Sequence, residues 1–305
     1  MNALPSPLVP TDTWPELHLV DWADTRDTLH MWTQIVGHIR MVLSPPVNHW
    51  WHVALYVTSR GLTTSPIPYE DHSFEIHFDF LDHRLVIATS SNEWRALKLE
   101  AKSVADFYAE LMRLLGELGI QVKIHSKPDE VADPIPFADD RVHRSYDPEY
   151  ARRFWQVLVA TDSVLKEFRG RFIGKCSPVH FFWGSFDLCC TRFSGRRALE
   201  RPGSDAVTRE AYSHEVISAG FWPGGGAVND AAFYAYAVPD PQGFRSAPVQ
   251  PASATYNDGL GEYILMYEDV RRAPGSKRAL LDFLQSTYEA GAKLGKWDRE
   301  ALERQ

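Results

Sequence analysis

Pro46-Val47-Asn48-His49-Trp50-Trp51-His52-Val53-Ala54-Leu55-Tyr56 is echoed by Pro178-Val179-His180-Phe181-Phe182-Trp183-Gly184-Ser185-Phe186-Asp187. Each copy follows a long amphipathic segment, and each runs on toward Thr, Ser, Gly and Arg, as Thr58-Ser59-Arg60-Gly61 and as Thr191-Arg192-Phe193-Ser194-Gly195-Arg196. Trp51, Val53, Leu55 and Val57 alternate with His52, Ala54, Tyr56 and Thr58, the period of a strand with one apolar and one mixed face. A helix-to-strand unit stated twice predicts an α+β fold, pseudo-duplicated as helix, antiparallel strands, helix. The helices are expected on one face of the sheet or sheets.

Aligned with one deletion, Val53, Leu55 and Val57 pair with Gly184, Phe186 and Leu188. His52, Ala54, Tyr56 and Thr58 then pair with Trp183, Ser185, Asp187 and Cys189. Helices covering the apolar faces would leave His52, Tyr56, Trp183, Ser185 and Asp187 on the opposite face. Glu75, His77 and Asp79 of the alternating run Phe74 to Phe80 are expected to join them. Such a face is either a ligand cavity or a solvated surface.

Working outward, residues 1–20 read as an N-terminal tail, 21–126 as a first α+β repeat, 127–146 as a Pro/acid-rich linker and 147–305 as a second repeat, the two forming one compact domain. Asp24 is placed to cap a helix bearing Leu29, Trp32, Ile35, Val36 and Ile39, stopped by Pro45-Pro46. Arg84 to Ile87 and Trp94 to Leu99 extend an antiparallel meander, and Ser103 with Asp106 opens a helix that Gly119 ends. Ile120 to Ile124 reads as a short strand. Asp147 and Pro148 start a second long helix, the echo strand runs from His180 to Cys190, and further strands fall near Tyr212 to Gly220, Phe233 to Val238 and Tyr263 to Tyr267. A last helix carries Leu280, Leu281, Phe283, Leu284 and Tyr288.

With 305 residues and 44% hydrophobic content, the chain can bury a substantial core. A net charge of -8 without any Lys/Arg block argues against a nucleic-acid partner. No stretch approaches the ~18 apolar residues of a membrane span, so no membrane partner is expected. The start lacks a signal-peptide pattern, and a cytoplasmic protein is expected. Three cysteines without a C-x-x-C argue against a disulfide scaffold or a four-thiolate zinc site, and Cys189 and Cys190 should point to opposite faces of one strand.

The blocks Pro45 to His52, Gly61 to Tyr69, Phe172 to Asp187, Ser213-His214-Glu215 and Ala219 to Gly226 resemble the bacterial domain-of-unknown-function family 5996. The resemblance covers nearly the whole chain and implies a soluble bacterial protein. That family has no established activity, cofactor or catalytic residue, so the resemblance brings no mechanism.

Chemistry must come from the side chains. His49-x-x-His52, with His180 and His214, offers imidazoles for a divalent metal, the candidate cofactor. Residues three apart on a strand diverge, so His49 and His52 could chelate together only if His49 lies in the loop before the strand. Without metal, His52 or His214 beside Asp187 or Glu215 could work as acid and base. Arg60 and Arg192 end the echo strands, where a guanidinium could hold an anion. Tyr56, Trp183 and Trp222 supply aromatic walls. The expectation is an enzyme acting on a small anionic organic molecule, with His52, Asp187, His214 and Glu215 catalytic and Tyr56, Arg60, Trp183, Arg192 and Trp222 binding. A non-catalytic small-molecule binding protein is the alternative, and a protein-interaction scaffold the second. Oligomeric state is left open.

Overall fold

The computed structural model describes residues 13–200 and 203–304. Helix α1 (Ala23–Leu43) begins behind Trp22 rather than Asp24, and Leu29, Trp32, Ile35, Val36 and Ile39 are fully buried along it. It ends as Ser44 turns extended ahead of Pro45-Pro46, which cannot continue a helix.

The first sheet follows: β1 (Tyr56–Val57), β2 (Gly61–Thr63), β3 (Ile67–Tyr69), β4 (His72–Asp79), β5 (Arg84–Thr89) and β6 (Trp94–Lys98). Its order is β1-β2-β4-β5-β6, with β3 also paired to β4, and all pairings are antiparallel. Helix α2 (Val104–Glu117) is capped by the Ser103 side chain, which accepts from the Asp106 N–H. Helix α3 (Pro148–Gly170) is capped by Asp147, with Pro148 in its first turn.

The second sheet contains β7 (His180–Phe182), β8 (Asp187–Arg197), β9 (His214–Trp222), β10 (Ala232–Val238), β11 (Thr255–Asn257) and β12 (Glu262–Met266), in the order β11-β12-β10-β9-β8-β7. Short α4 (Ala206–Ala211) precedes β9, and α5 (Tyr267–Arg272), α6 (Ser276–Leu294) and α7 (Arg299–Leu302) close the chain. The described residues thus form a mixed α+β fold of seven helices and two antiparallel sheets. The sheets meet where Leu55 and Phe181 exchange backbone hydrogen bonds of 2.9 Å in each direction.

Alternation sorts the second sheet. Leu188, Cys190, Ile217, Ala219, Phe221, Phe233, Ala235 and Leu265 face α3 and α6 and belong to the main apolar core. Asp187, Cys189, Thr191, Ser218, Trp222, Tyr234, Tyr236, Glu262 and Ile264 take the opposite face. Cys189 and Cys190 therefore point to opposite faces.

Several expectations are corrected. The first echo is not a strand from Trp51: residues Asn48–Trp50 form a 3₁₀ turn in which His49 and Trp50 have φ of 60° and 61°, and regular pairing begins only at Tyr56. The second echo is a hairpin, β7 turning back through Phe186 (φ 59°) into β8, rather than one continuous strand. The first half runs α1, six strands and α2, the second runs α3, six strands interrupted by α4, and then α5 to α7, and the two echoes fold differently. Ile120 to Ile124 forms no strand, although both isoleucines are buried. Part of the expected tail, residues 1–12, lies outside the described residues, while Trp14, Leu17 and Leu19 are buried in the body of the protein.

Candidate functional site

The free face of the second sheet is the floor of a cavity of about 1100 Å³. Its walls come from three directions. The His49-Trp50-Trp51 turn and α4 close one side, Asp129 and Glu130 another, and the Trp183-Gly184-Ser185 hairpin turn a third. Two residues of the segment read as a linker, Asp129 and Glu130, thus line the cavity. Gln34 on α1 ties that segment down, donating to the Asp129 carbonyl at 2.7 Å and accepting from the Asp129 N–H at 3.0 Å. Trp183 is held by its indole N–H, which donates to the Val53 carbonyl at 2.8 Å, and by Gly37, whose missing Cβ would sit 2.3 Å from the ring.

Asp187 is the most perturbed carboxylate on the floor. Only 8% of it is exposed, and Tyr234 Oη donates to its Oδ2. Tyr234 reaches it by lying flat across β9 at Gly220, where a Cβ would stand 2.6 Å from the phenol oxygen and 2.3 Å from the Leu188 carbonyl. Burial pushes the Asp187 carboxyl up to about 7. The Tyr234 hydrogen bond opposes that shift, and the charges of Glu130 and Glu262 add to it. Burial alone pushes Glu262 up to about 7. The Tyr234 phenol and the Cys189 thiol are both raised well above their ordinary values by burial, so both are neutral. Ser185 Oγ donates to Glu130 Oε2 at 2.5 Å.

The histidines scatter. His49 Nδ1 donates to the carbonyls of Glu210 and Ala211 at 3.1 and 3.2 Å, leaving Nε2 to accept from Lys175 Nζ at 2.6 Å. Burial and the Lys175 charge lower its pKa. The His214 ring lies 5.7 Å from that of His49, its pKa lowered first by burial and then by Lys175 and Arg197. His52 is buried with its Nδ1 accepting from the Val47 N–H at 3.1 Å, and it is not among the cavity residues. His180 lines the cavity with no exposed surface, neither ring nitrogen has a partner, and burial drops its pKa to about 3. Among the described residues no group of three or more His, Cys, Asp or Glu is arranged to hold a metal ion.

The expected anion anchors lie elsewhere. Arg192 shares the parity of Leu188 and Cys190, so it faces the helices, 3.5 Å from the ring centre of Phe168 and 4.2 Å from that of Tyr288, donating to the Phe168 carbonyl. Arg60 pairs with Asp79 and Asp82 at 2.9 Å each, beside the first sheet. Glu215 is bound by Arg196 at 2.6 Å and by Ser194 Oγ at 2.9 Å. His77 and Glu75 pair with each other at 2.8 Å and do not reach the cavity. Tyr56 packs between Arg40 and His180 behind the wall. Of the residues singled out in the sequence, Asp187, Trp183, Ser185, Trp222, His49 and His180 meet in the cavity. Tyr234, Glu262 and Glu130 join them, and their signal was faint. Tyr234 and Tyr236 alternate with Phe233, Ala235 and Ala237, which marks a polar strand face but names no partner.

Fold and site define an α+β protein built around a walled cavity on the free face of an antiparallel sheet. A family model described as a family of unknown function, DUF5996, matches residues 14–304, and the chain belongs to that family. No curated protein and no solved structure matches it. Among the described residues no helix is long and apolar enough to cross a membrane.

Proposed function

We propose that the chain is a cytoplasmic enzyme acting on a small organic molecule held in the cavity, with Asp187 taking and returning a proton and Tyr234 positioning its carboxyl. One observation carries this reading. Asp187 faces a cavity of about 1100 Å³, and its carboxyl titrates at about 7, where a general acid or base works best at neutral pH. Pockets of this size and aromatic lining are typical small-molecule sites. His52, His214 and Glu215 have no part in the reading, because His52 and Glu215 are engaged elsewhere and His214 stands behind His49.

The test is turnover. The protein is incubated with a metabolite extract, consumption and formation of small molecules are followed by mass spectrometry, and Asp187→Asn is compared at matched fold. Loss of turnover by about 10²-fold or more is expected. Tyr234→Phe removes the bond that lowers the Asp187 pKa, so the midpoint of the pH–rate profile should move upward. Undiminished turnover in Asp187→Asn overturns the assignment. The neutral thiol of Cys189 and the Ser185 hydroxyl committed to Glu130 favour a second reading, a non-catalytic binding protein. A retained molecule without turnover would select it.

A further inference from the structure

We infer that the cavity selects a small organic cation, an ammonium group on an aromatic or apolar body, with its charge directed at the carboxylates of Asp187 and Glu262. The inference rests on the small-molecule reading above and adds the charge of the molecule.

The lining is one-sided in charge. Among the described residues Asp187, Glu262, Glu130, Asp129 and Asp205 contribute carboxylates and no Lys or Arg lines the cavity, Lys175 Nζ being held on His49 Nε2 at 2.6 Å. Arg60 and Arg192, which would have made an anion site, are committed outside it. Burial is what acts on the Glu262 carboxyl, with no cation of the described residues beside it, and Asp187 feels the charges of both Glu262 and Glu130. Carboxylates sharing a water-poor pocket repel one another, and an ammonium relieves both their repulsion and their lost hydration. Trp222 and Tyr236 on the same sheet face offer π surfaces, which attract cations and accept apolar bodies alike.

His180 points to a ligand independently. It lines the same cavity with no exposed surface, and neither ring nitrogen has a partner. A buried imidazole carries one donor and one acceptor that the fold leaves unused, so the molecule should also bring a hydrogen-bonding group. His180 stays neutral at physiological pH and does not oppose a cation.

Three probes separate charge from shape: tyramine, 4-ethylphenol and 4-hydroxyphenylacetate, which share a phenol and differ in carrying an ammonium, no charge or a carboxylate. Binding is read by tryptophan fluorescence and calorimetry. Tyramine is expected to bind at least about 10-fold tighter than 4-ethylphenol, and Glu262→Gln or Asp187→Asn to remove most of that preference while changing 4-ethylphenol affinity less than about 3-fold. Thermal melts check that both variants fold.

Tyramine affinity should also rise about 10-fold between pH 6 and pH 8, as the proton a cation must displace leaves by itself. The groups facing Asp187 are Glu130, Glu262, Tyr234 and Cys189. Tyr234 and Cys189 stay neutral across that window, so the change belongs to the carboxyls. Equal affinity for tyramine and 4-ethylphenol, or a preference that survives both variants, overturns cation selection and leaves the small-molecule reading standing. No binding by any of the three likewise overturns cation selection, and the small-molecule reading then stands or falls on the turnover test.

Discussion

A single absent methyl group at Gly220 governs the candidate site. Without a Cβ there, Tyr234 lies across β9 and reaches Asp187 from two strands away; with one, the Leu188 carbonyl and the phenol both collide. Gly220→Ala is expected to expel the Tyr234 ring, cost about 1–3 kcal/mol in chemical denaturation and raise the Asp187 pKa further. The pH dependence of the wild-type protein has a definite sign. Folded Asp187 keeps its proton to about pH 7, whereas the unfolded chain loses it near 3.8. Between those values the folded state binds more protons, so this group makes the protein less stable as pH rises from 4 to 7. The contribution is on the order of 4 kcal/mol, and Asp187→Asn should flatten that slope in melts recorded from pH 4 to pH 8. At this scale Asp187 was legible, because strand parity alone turns it away from the core. Tyr234 and Glu262 were not, because what brings them to Asp187 is pairing and curvature across β9, β10 and β12. That information lives in contacts far apart in the chain.

Among the elements, helices were the most readable. Ser103 and Asp147 cap α2 and α3 as their side chains imply, and Pro45-Pro46 ends α1. The echo was readable as composition but not as geometry. Trp51 to Val57 alternates like a strand, yet His49 and Trp50 adopt left-handed backbone, held by hydrogen bonds from the His49 ring to carbonyls of Glu210 and Ala211. Those partners are remote in sequence, so local periodicity could not foresee the turn. Arg192 differs for a related reason: two residues after Cys190 and on the same strand face, it meets a cage of Phe168 from α3, Phe172 just beyond that helix and Tyr288 from α6. The α1 helix and the β7–β8 hairpin fit together through Gly37 and Trp183. Gly37→Ala should push the indole off the Val53 carbonyl, with a loss of about 1–3 kcal/mol and an altered near-UV circular dichroism spectrum.

Across the whole molecule one apolar core runs from Trp14 through both sheets to Trp297, and the sheets are stitched at Leu55 and Phe181. Calorimetry should therefore show the two halves melting in a single transition. The cavity closes over a floor and walls of unequal strength. Strands β8, β9 and β10 are hydrogen-bonded on both sides and backed by α3 and α6, whereas α4 is six residues long and buries none of them. Hydrogen exchange should be slow across the floor and fast in α4, with opening of α4 requiring little more than the loss of one helical turn. The time a molecule spends inside would then be set by a segment that contributes almost nothing to the stability of the fold, so residence could be lengthened or shortened there while the surroundings of Asp187 and the melting temperature stayed where they were.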